Sequence, residues 1–139
     1  MDSEILGYVV YVATKITVYA SWCYLGIRLF DPARTQSAGI AAIYGLARFL
    51  LGLVVGIGIF FAALDMNNAT RNAPLTYVAI YVPARIVEWS LWYAVIRRRS
   101  APVARIAGWV GGGVLVSCIA DIPLGILEGG VVPVGRPFC

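Results

Sequence analysis

Hydrophobic positions along this chain gather into four long runs, at about residues 5–30, 38–64, 74–96 and 102–127, separated by short polar or proline-containing connections. A hydrocarbon core about 30 Å thick needs roughly 20 apolar helical residues per crossing, so each run predicts a transmembrane helix. Little remains beyond three short loops and a tail at 128–139, which leaves no room for a soluble domain. The expected fold is all-α: a polytopic membrane protein of one domain, residues 1–139, with four transmembrane helices in an antiparallel bundle.

The polar positions inside these runs are periodic. Tyr8, Tyr11, Lys15, Tyr19 and Trp22 follow one another at three- and four-residue steps, which stacks them on one helix face. Tyr77, Tyr81, Arg85, Glu88 and Trp92 repeat the pattern in the third run. Arg48, Gly52 and Gly56 align in the second, and Ser117, Asp121 and Gly125 in the fourth. The simplest packing turns these faces toward a shared interior. Tyr8, Trp22, Tyr77, Trp92 and Tyr93 lie toward the run ends, where aromatic side chains anchor helices at the headgroups. Tyr11 and Tyr81 are deeper, and a phenol there requires a hydrogen-bond partner. Gly52 and Gly56 form a GxxxG pair, while Gly108, Gly111, Gly112 and Gly113 crowd the fourth run, so close helix packing within or between subunits is expected. Pro83 and Pro123 each stand two residues from a charge and predict kinks beside it.

Composition agrees with a membrane chain. The sequence is 60% hydrophobic and 13% charged, about half the charged fraction of a soluble domain. Its formal charge of +4 is not pooled on a soluble face, so nucleic acid is not an expected partner. The charge is sorted by side. Arg28, Arg34, Arg97, Arg98, Arg99 and Arg105 fall on one side, and Asp2, Glu4, Asp65, Arg71, Glu128 and Arg136 on the other. The positive-inside rule then places both termini outside and the arginine loops in the cytoplasm, with residence in a plasma membrane of the bacterial inner-membrane type. The first run makes a poor cleavable signal, because its leading residues are acidic and its apolar stretch is too long.

Histidine is absent, so no bis-histidine haem, histidine zinc site or histidine base is available from this chain. Cys23, Cys118 and Cys139 form no CxxC pair, and Cys23 and Cys118 are expected at different depths, unbridged. No cofactor is expected. Asn68-Ala69-Thr70 matches a glycosylation sequon on the expected outer loop, a pattern common by chance. The glycines and prolines after Glu128 oppose a helix, and the final Cys139 offers no prenylation signal.

Candidate chemistry rests on five ionisable residues within the runs: Lys15, Arg48, Arg85, Glu88 and Asp121. A charge at the bilayer centre costs at least about 2.5 kcal/mol, so such residues face a protein interior and mark a site or pathway. A helical rise of about 1.5 Å per residue ranks them by depth. It pairs Lys15 with Asp121 and Arg48 with Glu88, and it leaves Glu88 the alternative of holding Arg85 on its own helix. Three cations against two carboxylates leave one positive charge to be neutralised. Lys15, Arg48, Arg85, Glu88, Asp121, Tyr11, Tyr81 and Trp92 are therefore the expected ligand-binding set, with membrane lipids and a small anionic or lipidic ligand as partners and a homo-oligomer as an option.

Three uses fit such a site. A carrier or channel would bind an anionic or zwitterionic solute on the cations and couple protons through Glu88 or Asp121. A lipid-modifying enzyme would place a headgroup there, although no nucleophile–base motif or phosphate loop is present. A non-catalytic subunit of a larger membrane complex would meet a partner's carboxylate instead. Transport leads these readings.

Overall fold

A computed structural model describes residues 3–33, 37–98 and 100–127. Asp2, Arg34, Arg99 and the expected tail, with Glu128, Arg136 and Cys139, lie outside the described residues. Within them every regular element is helical, with no strand. The elements are α1 (Ser3–Phe30), α2 (Ser37–Thr70), α3 (Ala73–Thr76), a π-helical turn (Tyr77–Tyr81), α4 (Val82–Ile96) and α5 (Val103–Leu127). Three segments, Ile5–Phe30, Ala38–Thr70 and Val103–Pro123, are long and apolar enough to cross a membrane.

The second run continues past residue 64, where a loop is expected. Residues 65–70 contain neither proline nor glycine, so nothing stops the helix until Arg71, whose φ of 50° lies in the left-handed region. The Thr70 hydroxyl donates to the Met66 carbonyl at 2.8 Å, which places the sequon in the last helical turn. Asn72 then restarts the chain by accepting the Leu75 amide on Oδ1 at 3.0 Å, with Pro74 in the first turn of α3. A helix prefers this cap because its first amides lack partners.

The third run is not one continuous α-helix. Pro83 has no N–H to give, and its ring would crowd the carbonyl four residues back. The chain relieves this by widening one turn, so that the Val82 amide reaches the Tyr77 carbonyl five residues back. Such π turns insert one residue locally and re-aim the side chains before them.

The distribution of side chains is the reverse of a water-soluble domain. Lys15, Arg48, Arg85, Glu88 and Asp121 are all buried, Arg48 completely. Large apolar groups face outward instead, Phe61 being 72% and Val54 66% exposed. In a bilayer this arrangement puts hydrocarbon against lipid and leaves the charges one another.

Two aromatic layers bracket the charges. On one side Tyr11, Ala63, Tyr77 and Tyr81 pack together. On the other lie Tyr19, Cys23, Ile27 and Phe30 of α1, against Trp89 and Tyr93 of α4 and Trp109 of α5. Phe30 meets both Tyr93 and Trp109 edge to face. Small residues set the closest approaches. A Cβ on Gly45 would fall 2.5 Å from the Ala20 amide nitrogen, so α1 and α2 touch backbone to backbone. Gly112 and Gly113 seat the rings of Trp22 and Trp89, whereas Gly108 and Gly111 face open space.

Several aromatics expected at the headgroups pack within the bundle. The Trp22 indole donates to the Trp109 carbonyl at 3.1 Å, and Trp109 returns the bond to the Trp22 carbonyl at 3.4 Å. Tyr77 and Tyr93 are buried, and Trp92 is half-buried against Tyr44. Tyr8 alone of that group is exposed.

Candidate functional site: a buried charge cluster

The cluster is assembled by all four helical rods. Lys15 comes from α1, Arg48 from α2, Arg85 and Glu88 from α4, and Asp121 from α5. Asp121 is its hub. Its Oδ1 accepts from Lys15 Nζ at 2.7 Å and from the Tyr11 hydroxyl at 3.3 Å. Its Oδ2 accepts from the Tyr77 hydroxyl at 2.7 Å and from Arg85 Nη2. Lys15 Nζ also donates to the Tyr11 hydroxyl at 2.6 Å. A carboxylate so surrounded keeps the hydrogen bonds it gave up in water, which is the condition for burying a charge.

Arg48 and Glu88 form the second centre, with Nη2 donating to Oε2 at 2.5 Å. The Arg48 guanidinium also lies over two rings, 5.1 Å from the Tyr19 centroid and 5.0 Å from that of Trp89. Desolvated cation–π contacts of this kind stabilise a guanidinium by up to about 2 kcal/mol. Trp89 is held by its indole donating to Ser117 Oγ at 3.0 Å. Both pairs expected from depth, Lys15 with Asp121 and Arg48 with Glu88, are present as ion pairs.

Arg85 departs from expectation. It turns away from Glu88 on its own helix and joins Asp121 on α5. Its long side chain spans the depth offset between them, while Arg48 already occupies Glu88 from α2. Trp92 is half-buried. The buried residues of α4 are Arg85, Glu88, Trp89, Tyr93 and Ile96. The inward stripe thus passes from Arg85 through Trp89 and Tyr93, and Trp92 sits on its flank beside Tyr44. Tyr81 is buried and stacks on Tyr77, with ring centroids 5.3 Å apart and planes 19° apart.

Tyr19, Tyr77, Trp89 and Ser117 are members of the cluster that the expected binding set omits. Tyr19 and Ser117 were within reach of sequence reasoning, four residues from Lys15 and Asp121 respectively. Tyr77 reads as a headgroup anchor because it stands near the start of its run. Trp89 carries only one signal, its four-residue step from Arg85.

Charge balance inside the cluster is uneven. Three cations face two carboxylates. Arg48 Nε, Arg48 Nη1 and Arg85 Nε are buried without a hydrogen-bond acceptor among the described residues. Arg48 Nη1 stands 3.0 Å from where a Cβ on Gly52 would be. A void of about 10 Å³ lies nearby, bounded by Gly52, Gly56, Tyr81, Arg85 and Glu88 among others. It has room for about one water-sized body. A second, larger hollow of about 630 Å³ runs along α1 beside Tyr8, Val9, Tyr11, Val12, Ala13 and Ile16, and its walls are apolar.

Comparison with protein-family models, with curated proteins and with solved structures finds no match.

Proposed function

We propose that this chain is a small multi-pass membrane protein that binds an anionic or zwitterionic solute, or a lipid headgroup, at Lys15, Arg48 and Arg85, and carries it across the bilayer. The proposal takes the four helical rods as antiparallel spans with both termini outside. Arg28, Arg97, Arg98 and Arg105 then face the cytoplasm of a bacterial-type inner membrane. Lipids are its surroundings, and a second copy of the chain is an optional partner.

One observation carries the proposal: the cluster keeps an excess positive charge, and its guanidinium groups hold buried N–H donors that no protein acceptor meets. A purely structural network gains nothing from such donors, because an unmet buried donor costs about 1–3 kcal/mol and more for a charged group. An anion supplies both the missing charge and the missing acceptors. Guanidinium suits carboxylate and phosphate because it is planar and offers several donors at once. In the transport cycle the solute takes over Arg48 from Glu88, and Glu88 takes up a proton as it is displaced.

A second reading, a structural subunit of a larger complex, draws on the closeness of the packing, since the void at the cluster holds no more than about one water-sized body. The two readings part on function. Proteoliposomes containing the purified protein are expected to take up small organic and inorganic anions in response to a pH gradient. Glu88→Gln is expected to abolish the coupling. Wild-type liposomes indistinguishable from empty ones would favour the subunit.

A further inference from the structure

Both carboxylates of the cluster are buried, but they are met differently, and the difference decides which of them exchanges a proton. We infer that Glu88 and a single water molecule in the void beside it form the protonatable site of the cluster, while Asp121 stays ionised. This inference rests on the coupling role given to Glu88 above and specifies what serves it.

The four groups that meet Asp121 are all donors. Oδ1 accepts from Lys15 Nζ and the Tyr11 hydroxyl, and Oδ2 from the Tyr77 hydroxyl and Arg85 Nη2. An ammonium and a guanidinium have no lone pair to offer. A proton on either oxygen would therefore displace a donor of a buried cation, and Asp121 has no space beside it to take a further partner.

Glu88 keeps one oxygen out of such contacts. Arg48 Nη2 donates to its Oε2. Its Oε1 lies 3.9 Å from where a Cβ on Gly52 would stand, and Gly52 and Glu88 both form walls of the void of about 10 Å³. One water fits that volume, and Tyr81 and Arg85 complete the polar part of the wall. Water both donates and accepts. It gives an O–H to Oε1 of the ionised group and accepts the O–H of the protonated one, so Oε1 is served in both states while Oε2 stays on Arg48. The transfer balances: a proton carried into the void as hydronium passes to Oε1 and leaves a neutral water behind.

The charged and titratable groups around this carboxyl group come from every rod. They are Arg48 of α2, Arg85 of its own helix and Tyr81 of the π turn. Tyr19 and Cys23 of α1 lie near the Arg48 guanidinium, and Asp121 and Cys118 of α5 near that of Arg85.

Infrared difference spectroscopy reads both the carboxyl group and its water. Protein reconstituted in liposomes would be titrated toward acid over the range in which circular dichroism stays native. The carbonyl stretch of protonated carboxyl groups would be followed in wild type, Glu88→Gln and Gly52→Ala. Carboxyl groups other than Glu88 cancel between wild type and Glu88→Gln. The expected result is a band present in wild type and lost in Glu88→Gln. In Gly52→Ala, whose added methyl takes the space beside Oε1, the band moves to higher frequency because the acid O–H has lost its water. Identical bands in wild type and a folded Glu88→Gln would overturn the inference, as would an unchanged frequency in Gly52→Ala. Should Glu88→Gln not fold, the frequency comparison decides alone. Anion uptake by the same liposomes is read separately. Uptake without a Glu88 band would overturn the inference and leave transport standing on another proton carrier. The band without uptake would uphold the Glu88 site in a protein that does not transport.

Discussion

Asp121 gathers four donors from three segments: Tyr11 and Lys15 of α1, Tyr77 of the π turn and Arg85 of α4. Its loss therefore strands two buried cations at once. Breaking a buried pair by removing one partner costs about 3–5 kcal/mol. Asp121→Asn is expected to destabilise by at least that much in reversible unfolding from mixed micelles. Lys15→Met should cost less, because Arg85 remains on Asp121. Equal losses would mean that Asp121 serves Lys15 alone. At this scale much of the site is legible in the sequence. Depth along each run is enough to pair Lys15 with Asp121 and Arg48 with Glu88, since side chains of opposite charge at one level in a bilayer have nowhere else to go. The partner of Arg85 is not legible, because a long flexible side chain erases the depth difference that separates its options. Trp92 and Trp89 differ by less than one helical turn, and which of them turns inward depends on packing against Gly113 on another helix.

The π turn is the element on which the geometry of Asp121 depends. It sets the angular position of Tyr77 relative to Arg85, and one residue of an α-helix corresponds to about 100° of rotation. Replacing Pro83 by alanine restores an N–H and removes the ring that crowds the preceding turn. Pro83→Ala is expected to let the rod relax to a continuous α-helix, pulling the Tyr77 hydroxyl off Asp121. A double-mutant cycle checks this. Tyr77→Phe should cost about 1.5–3 kcal/mol in the wild-type background, the value of a hydrogen bond to a charged group, and close to nothing in Pro83→Ala. An unchanged cost would show that the π turn persists without the proline. Hydropathy runs locate the first segment at residues 5–30 and find the apolar stretches that α2 and α5 contain. They miss the extension of α2 to Thr70, because residues 65–70, polar or small apart from Met66, lower hydropathy without stopping a helix. They also miss the break in the third rod, where the proline signals a kink and the form of the kink follows from neighbouring packing.

Across the whole molecule, apolar side chains face outward and a charged layer is enclosed between two aromatic ones. Such a layer is expensive in a bilayer unless its charges are met, and here three guanidinium nitrogens lack an acceptor among the described residues. The arginines at 28, 97, 98 and 105 stand at the end of the bundle where Phe30, Tyr93 and Trp109 pack, so the proposed orientation makes that end cytoplasmic. The central claim, that the Arg48 and Arg85 cluster binds an anion, is tested most directly by native mass spectrometry of the protein released from mild detergent. Wild type would be compared with Arg48→Ala and Arg85→Ala. The account predicts a bound anion on the wild type that is absent from both variants. A wild type free of any anion, with variants that lose only their fold or their assembly, would contradict it and make the charges a device for holding the helices together.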